Sequence, residues 1–123
     1  MRRSLILVVR AQEKNLQPPI IVSGDGEVVV FESIDTAARG LEPIDVRNGE
    51  YIAYDSEGFL LNLVASEPRI TISGRLDQPA RPEELRQALV DFIENVDSGT
   101  ERTKPSSLVH LLAYFIQRFG YTV

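Results

Sequence analysis

Cysteine is absent from the 123-residue sequence, and histidine occurs only once, as His110. The lack of cysteine excludes disulfides, thiolate metal ligands and a cysteine nucleophile. A single histidine also excludes a metal site built on two imidazoles. We therefore expect no metal and no other cofactor, and a function that does not depend on thiol or imidazole chemistry.

Long apolar runs are also missing. The longest run at the C-terminal end covers residues 111–116, far short of the roughly 20 residues that a membrane-spanning helix needs. At the N-terminus, five apolar residues (5–9) follow Arg2 and Arg3 and stop at Arg10, whereas a signal peptide needs about 7–15. We interpret residues 4–10 as a buried strand and expect a soluble, cytoplasmic protein with no membrane partner.

The net charge of −5 is distributed unevenly along the chain. Residues 1–20 carry a net charge of +3, residues 21–70 carry −7 and residues 71–123 carry −1. The acidic middle disfavours nucleic acid as a partner, because phosphate binding needs clustered lysine and arginine. It would suit a basic protein partner. The alternative is that these carboxylates only keep the domain soluble.

Local patterns predict strands in the first two thirds of the chain. We place them at residues 4–10, 20–22, 27–31, 50–55, 59–65 and 69–73. Asp25-Gly26 and the 55–58 segment predict two hairpin turns, the second hairpin being the clearest in the chain. The Gly24-x-Gly26 pair lacks the third glycine of a phosphate loop and precedes a strand, so it does not predict a nucleotide site.

Three helices are predicted. A short one is capped by Ser33 and ends near Glu42 because Pro43 follows, and residues 44–49 are then a connector. A longer amphipathic helix begins at Pro82 and stops before Asp97-Ser98-Gly99. The last begins at Pro105-Ser106, reaches about Arg118 and is apolar nearly all round, so we expect it to be clamped between the sheet and its neighbouring helix. The pattern indicates one α+β domain with a mainly antiparallel sheet of five to six strands packed against one short and two longer helices.

The residue types needed for catalysis do not occur in a catalytic arrangement. His110 lies within an apolar helical run, which favours a core or half-buried histidine over a general base. Ser106 and Ser107 lie where helix caps are expected. Asp55 and Glu57 flank a turn, where carboxylates usually bond nearby backbone N–H groups. We therefore expect that the protein is not an enzyme and has no catalytic residues.

A polar and aromatic concentration between positions 42 and 57 is the best candidate for a contact surface. Tyrosine is enriched at interfaces, and carboxylates complement basic partners. The alternative is an ordinary strand with polar turns. The candidate partner-binding residues are Glu42, Asp45, Glu50, Tyr51, Tyr54, Asp55 and Glu57.

The same stretch resembles a family of small bacterial proteins. The likeness rests on Glu42-Pro43-Ile44-Asp45-Val46, Asn48-Gly49-Glu50-Tyr51 and Tyr54-Asp55-Ser56-Glu57-Gly58, within roughly residues 28–66. The family comprises the immunity partners of polymorphic or contact-dependent toxins. The resemblance implies a bacterial cytosolic binder that neutralises a toxin by occlusion, with no catalytic residues to carry over.

Three hypotheses follow. In the first, an acidic surface binds and blocks a basic toxin domain. In the second, a structural or adaptor protein forms a homodimer through residues 108–119. In the third, a small molecule binds between sheet and helices near Tyr51, Tyr54 and His110.

Overall fold

The computed structural model describes residues 16–96 and 107–122, which form an α+β fold as predicted. The strands are β1 (Ile20–Gly24), β2 (Glu27–Phe31), β3 (Ile52–Tyr54), β4 (Leu61–Ser66) and β5 (Arg69–Arg75). The helices are α1 (Ile34–Gly40), α2 (Pro43–Arg47), α3 (Pro82–Val96) and α4 (Leu108–Phe119). The predicted strand at 4–10, the Asp97-Ser98-Gly99 stop and the Pro105-Ser106 helix start lie outside the described residues.

The first predicted hairpin is confirmed. β1 and β2 pair antiparallel from Ile20↔Phe31 to Gly24↔Glu27. The two turn residues, Asp25 and Gly26, have φ angles of 51° and 78°. Positive φ at both central positions gives the turn the twist that a two-residue hairpin requires.

The second predicted hairpin is present only at its turn. Tyr54 and Leu60 form an isolated bridge, after which the two strands separate. β3 pairs with β1 to complete a sheet of order β2-β1-β3, and β4 pairs with β5 in a second sheet. The register shifts by one residue between the pairs Leu61↔Arg75 and Leu63↔Ile72, with the extra residue on β5, as in a β-bulge. The described strands are therefore divided between two antiparallel sheets.

The segment after α1 differs from the prediction. Ser33 caps α1 as expected and forms a capping box with Thr36. However, Pro43 does not lead into a connector but starts α2. Proline is favoured at the first position of a helix because its missing N–H has no partner there anyway. The prediction of a connector at residues 44–49 is therefore wrong for residues 44–47.

Two hydrophobic cores lie on opposite sides of β1. Ile20 and Val22 pack into a first core with residues of α1, β4 and β5, whereas Ile21 packs into a second core with α3 and α4. Successive side chains of a strand point to opposite faces, so β1 is buried on both sides.

The two long helices close the second core. Phe92 of α3 packs against Phe115 and Phe119 of α4, with ring centroids 5.6 and 5.5 Å away. α4 buries one face, through Leu111, Leu112 and Phe115, against both α3 and the sheet. Its opposite face is exposed, and Val109 is 73% accessible, so within the described chain α4 is buried on the side that meets α3 and the sheet, although its sequence is apolar nearly all round. None of the helices described here combines the length and apolar character needed to cross a bilayer.

Candidate functional site

Asp55 organises the turn between β3 and β4 from inside the protein. Its side chain is completely buried. One carboxylate oxygen, Oδ1, accepts hydrogen bonds from the backbone N–H groups of Glu57 and Phe59 at 2.9 and 3.1 Å. The other, Oδ2, accepts from Gln17 N–H and from Arg75 Nη2, both at 3.3 Å. The predicted backbone bonding of a turn carboxylate is confirmed, but this buried group offers no surface to a partner.

Arg75 connects this turn to the end of β5. Its guanidinium bonds Asp55 and, at 3.2 Å, Glu57. Its Cζ also lies 3.7 Å from the centroid of the Phe59 ring, a cation–π geometry. Glu57 is exposed, but its charge is partly compensated by this pairing. Arg75 was not singled out in the sequence because it lies 20 positions from Asp55, beyond any local pattern.

Tyr54 is likewise an internal residue. It is buried, and its hydroxyl donates a 2.6 Å hydrogen bond to Glu84 in the first turn of α3. Burial, followed by the bond to Glu84 and that group's negative charge, raises the pKa of Tyr54 well above the usual tyrosine value. A neutral phenol that fastens β3 to α3 is a structural contact, not an exposed recognition group.

The remaining four predicted residues come together around α2, and we call this surface the acidic face: Glu42, Asp45, Glu50 and Tyr51. The Tyr51 hydroxyl donates to Asp45 Oδ2 at 3.1 Å. Burial is the first cause that raises the pKa of Tyr51, and the bond to Asp45 is the second. The charges of Asp45, Glu50 and Glu42 raise it further, so all three carboxylates lie near one phenol.

Local chain geometry explains how the acidic face forms. Pro43 starts α2, which puts Glu42 at its N-cap and Asp45 in its first turn, where the helix dipole favours negative charge. Gly49, with a φ of 70°, then reverses the chain, and Glu50 N–H bonds the carbonyl of Asp45 at 3.0 Å. This reversal carries Tyr51 back beside Asp45.

In the part of the chain that the structure describes, no ion pair neutralises the charges of the acidic face. Within residues 16–96 and 107–122, none of its three carboxylates forms an ion pair. Arg47, the basic residue of α2, instead pairs with Glu67 at the β4–β5 turn. The acidic face therefore carries an unbalanced charge of about −3 at neutral pH.

Apolar surface borders these charges. Ile44 and Ile52 are 56% and 48% exposed. A cleft of about 290 Å³ opens where β3 and β4 separate, with Val46, Tyr51, Ile52 and Leu63 in its wall and the Arg81–Glu84 ion pair at the start of α3. Its size is at the lower end of small-molecule sites, about 300–1,000 Å³.

The residues considered for catalysis do not assemble a reactive centre. His110 is exposed rather than buried, and its Nδ1 lies 2.9 Å from Ser107 Oγ. Ser107 caps α4 by accepting the backbone N–H of His110, as expected, whereas Ser106 lies outside the described residues. In the part of the chain that the structure covers, no group of three or more histidine or carboxylate side chains could hold a metal ion.

Of the seven predicted contact residues, the structure thus brings four together on one face, leaves Glu57 exposed beside Arg75, and buries Tyr54 and Asp55. Sequence analysis missed the exposed Ile44 and Ile52 beside that face, although their place next to the predicted carboxylates could have indicated them. What the acidic face can do chemically is bind cationic groups, with tyrosine and isoleucine side chains for apolar contact. A comparison of this chain with protein-family models, curated proteins and solved structures finds no match.

Proposed function

We propose that this protein is a non-enzymatic binding protein of the immunity type, which neutralises a toxin by covering a basic surface of it. The observation that carries the proposal is the acidic face, where Asp45 accepts a hydrogen bond from Tyr51 and three carboxylates have no ion-pair partner among the described residues. The resemblance of residues 42–58 to immunity proteins supports the same function. The partner expected on these grounds is a basic protein domain in the bacterial cytoplasm.

The physical basis is electrostatic steering followed by desolvation of a mixed surface. A patch of one sign accelerates the encounter with a partner of the opposite sign. Tyr51, Ile44 and Ile52 then supply apolar area that loses water on contact, since aromatic residues in particular are enriched at the centre of interfaces. Asp45 is partly held by its bond to Tyr51, so the face is partly ordered before binding.

The test is association of the full chain with the protein encoded by the adjacent gene, in wild-type and neutralised forms. The triple variant Glu42→Gln, Asp45→Asn, Glu50→Gln should associate about tenfold more slowly at low salt and lose most of the salt dependence. The matched control is Asp25→Asn, Glu27→Gln, Glu32→Gln, which removes three charges from exposed side chains of the first hairpin. Equal slowing by both variants would place the interface elsewhere, and failure to bind or inhibit would refute the proposal.

Self-association is a second candidate, favoured by the exposed outer face of α4. Val109 is 73% accessible in a helix that carries few polar groups. Light scattering at micromolar concentration distinguishes this function. A dimer that Val109→Lys converts to monomer supports it, and a wild-type monomer contradicts it.

A further inference from the structure

A second surface lies along the edge of β5 that does not pair with β4. A groove of about 850 Å³ runs between α1 and β5. One wall consists of α1 residues and the residue that follows the helix: Ile34, Asp35, Ala38, Arg39 and Leu41. The other wall consists of Pro68, Arg69, Ile70, Thr71 and Ile72. The second wall is made of consecutive residues. Because successive side chains point to opposite faces of a strand, a strand that lines a groove with every residue presents its backbone edge.

The hydrogen-bond pattern supports that reading of β5. Among the described residues, β5 pairs with β4 and with no other strand. Outside that pairing, the structure gives no backbone hydrogen bond to residues 69–72 from any described segment. Ser66 and Arg69 pair across the two-residue turn, and Ala65↔Ile70, Val64↔Thr71 and Leu63↔Ile72 follow.

The alternation of antiparallel pairs decides which backbone groups are available. The pair that flanks a two-residue turn is hydrogen-bonded, the next pair is not, and the two kinds of pair then alternate along the strands. Ala65↔Ile70 and Leu63↔Ile72 are therefore the pairs without hydrogen bonds between them. Ile70 and Ile72 therefore direct their backbone N–H and C=O groups away from β4, toward the groove. Among residues 16–96 and 107–122 these groups have no backbone partner, and such a strand edge is a template for an added strand.

The charge of this groove is opposite to that of the acidic face. Its lining contains two arginines and one aspartate within a segment whose net charge is −7 over residues 21–70. Arg69 is exposed and has no carboxylate partner in the described chain. Arg39 pairs with Asp35 at 3.1 Å, but both side chains are solvent-exposed, and such pairs are worth little and exchange readily.

We propose that the groove between α1 and β5 binds an extended acidic segment of a partner protein, which adds to β5 as a further strand. Backbone groups of Ile70 and Ile72 form the ladder. Carboxylates of the segment pair with Arg69 and Arg39, and its apolar side chains contact Ile34 and Ala38. Strand addition beside a helix gives affinity through main-chain bonds and specificity through side-chain contacts. This function goes beyond the acidic face, with which it shares no residue.

The probe is a fluorescein-labelled hexapeptide, Val-Asp-Val-Thr-Val-Glu, followed by fluorescence anisotropy with the full chain. It should bind, and the peptide with lysine in place of its two acidic residues should bind at least about fivefold more weakly. Two further peptides carry N-methyl groups, one on its second and fourth residues and the other on its third and fifth. In an added strand, alternate N–H groups point toward β5 and away from it. One methylated peptide therefore loses the N–H groups that bond β5 and should not bind, whereas the other keeps them and should bind.

Variants locate the site. Arg69→Glu should weaken the acidic peptide about fivefold and favour the lysine peptide, whereas Arg86→Glu on α3 makes the same charge change far from the groove and should have no effect. Ala38→Trp should block binding by filling the groove, with circular dichroism checking the fold. Amide exchange at Ile70 and Ile72 should slow when the peptide is added. No binding up to about 1 mM, equal effects of the two N-methylated peptides, or equal effects of the two arginine variants would overturn the proposal.

Discussion

Replacing Asp55 by asparagine keeps the size of the side chain but removes its charge and one of its acceptors. The asparagine oxygen can still accept from the N–H groups of Glu57 and Phe59, now bonded to Oδ1. The amide –NH₂ then takes the place of Oδ2. This amide is a donor, and it would face two other donors, the N–H of Gln17 and the guanidinium of Arg75. Neither hydrogen bond can then form.

The cost follows from these two lost bonds. Hydrogen bonds to charged groups contribute about 1.5–3 kcal/mol each, and a buried donor left without a partner costs about 1–3 kcal/mol. Both bonds to Oδ2 are long, at 3.3 Å, so we take values near the lower limit. Arg75 also keeps Glu57 as a partner. We expect Asp55→Asn to lower the free energy of unfolding by about 2–4 kcal/mol, a large part of the 5–15 kcal/mol typical of a domain.

Urea denaturation followed by far-ultraviolet circular dichroism measures this quantity, since the protein has no tryptophan. The midpoint should fall while the slope with urea stays the same, because wild type and variant expose similar surface when they unfold. The matched control is Glu57→Gln, which removes the exposed partner of Arg75 and should cost less than about 1 kcal/mol. If Asp55→Asn costs no more than Glu57→Gln, the buried carboxylate does not stabilise the turn as we describe.

Two other predictions concern the contacts between the β3–β4 segment and α3. Tyr54→Phe removes the donor to Glu84 and should cost about 1–2 kcal/mol at pH 7. Because the pKa of Tyr54 is raised in the folded state above its usual value of 10.0, the stability that Tyr54 contributes is complete below pH 10 and is lost as the pH rises further. The difference in unfolding free energy between wild type and variant should therefore be smaller above pH 10 than at pH 8. A difference that stays constant would contradict the assignment. Gly58→Ala should cost about 2–3 kcal/mol, because φ is +90° and the new Cβ would lie 2.7 Å from Pro82 Cα. The control Gly26→Ala, with a φ of +78° and nothing within 4 Å, should cost only about 1–2 kcal/mol; equal melting temperatures for the two variants would show that the approach to Pro82 is not tight.

Much of the fold follows from local sequence patterns. The Asp25-Gly26 turn, the Ser33 cap, the start of α3 at Pro82 and the end of α4 before Gly120 are each determined by residues within one turn of the feature itself. α2 was missed because a proline after a helix indicates an end as readily as a new beginning. Here Pro43 is the beginning.

The candidate site was predicted less completely, since burial depends on distant partners. An aspartate and a tyrosine beside a turn are expected at the surface unless something pairs with them inside. The partners of Asp55 and Tyr54 are Arg75 and Glu84, which lie 20 and 30 positions further along the chain. The acidic face could be predicted because its members lie within ten residues of one another.

The double burial of β1 has a consequence for how the protein unfolds. Ile20 and Val22 lie in the first core, and Ile21, between them in the sequence, lies in the second core. Opening this one strand exposes apolar surface of both cores at once, so neither core can come apart while the other stays closed around β1. The core that α3 and α4 cover and the core that α1, β4 and β5 cover are in this way coupled into one cooperative unit.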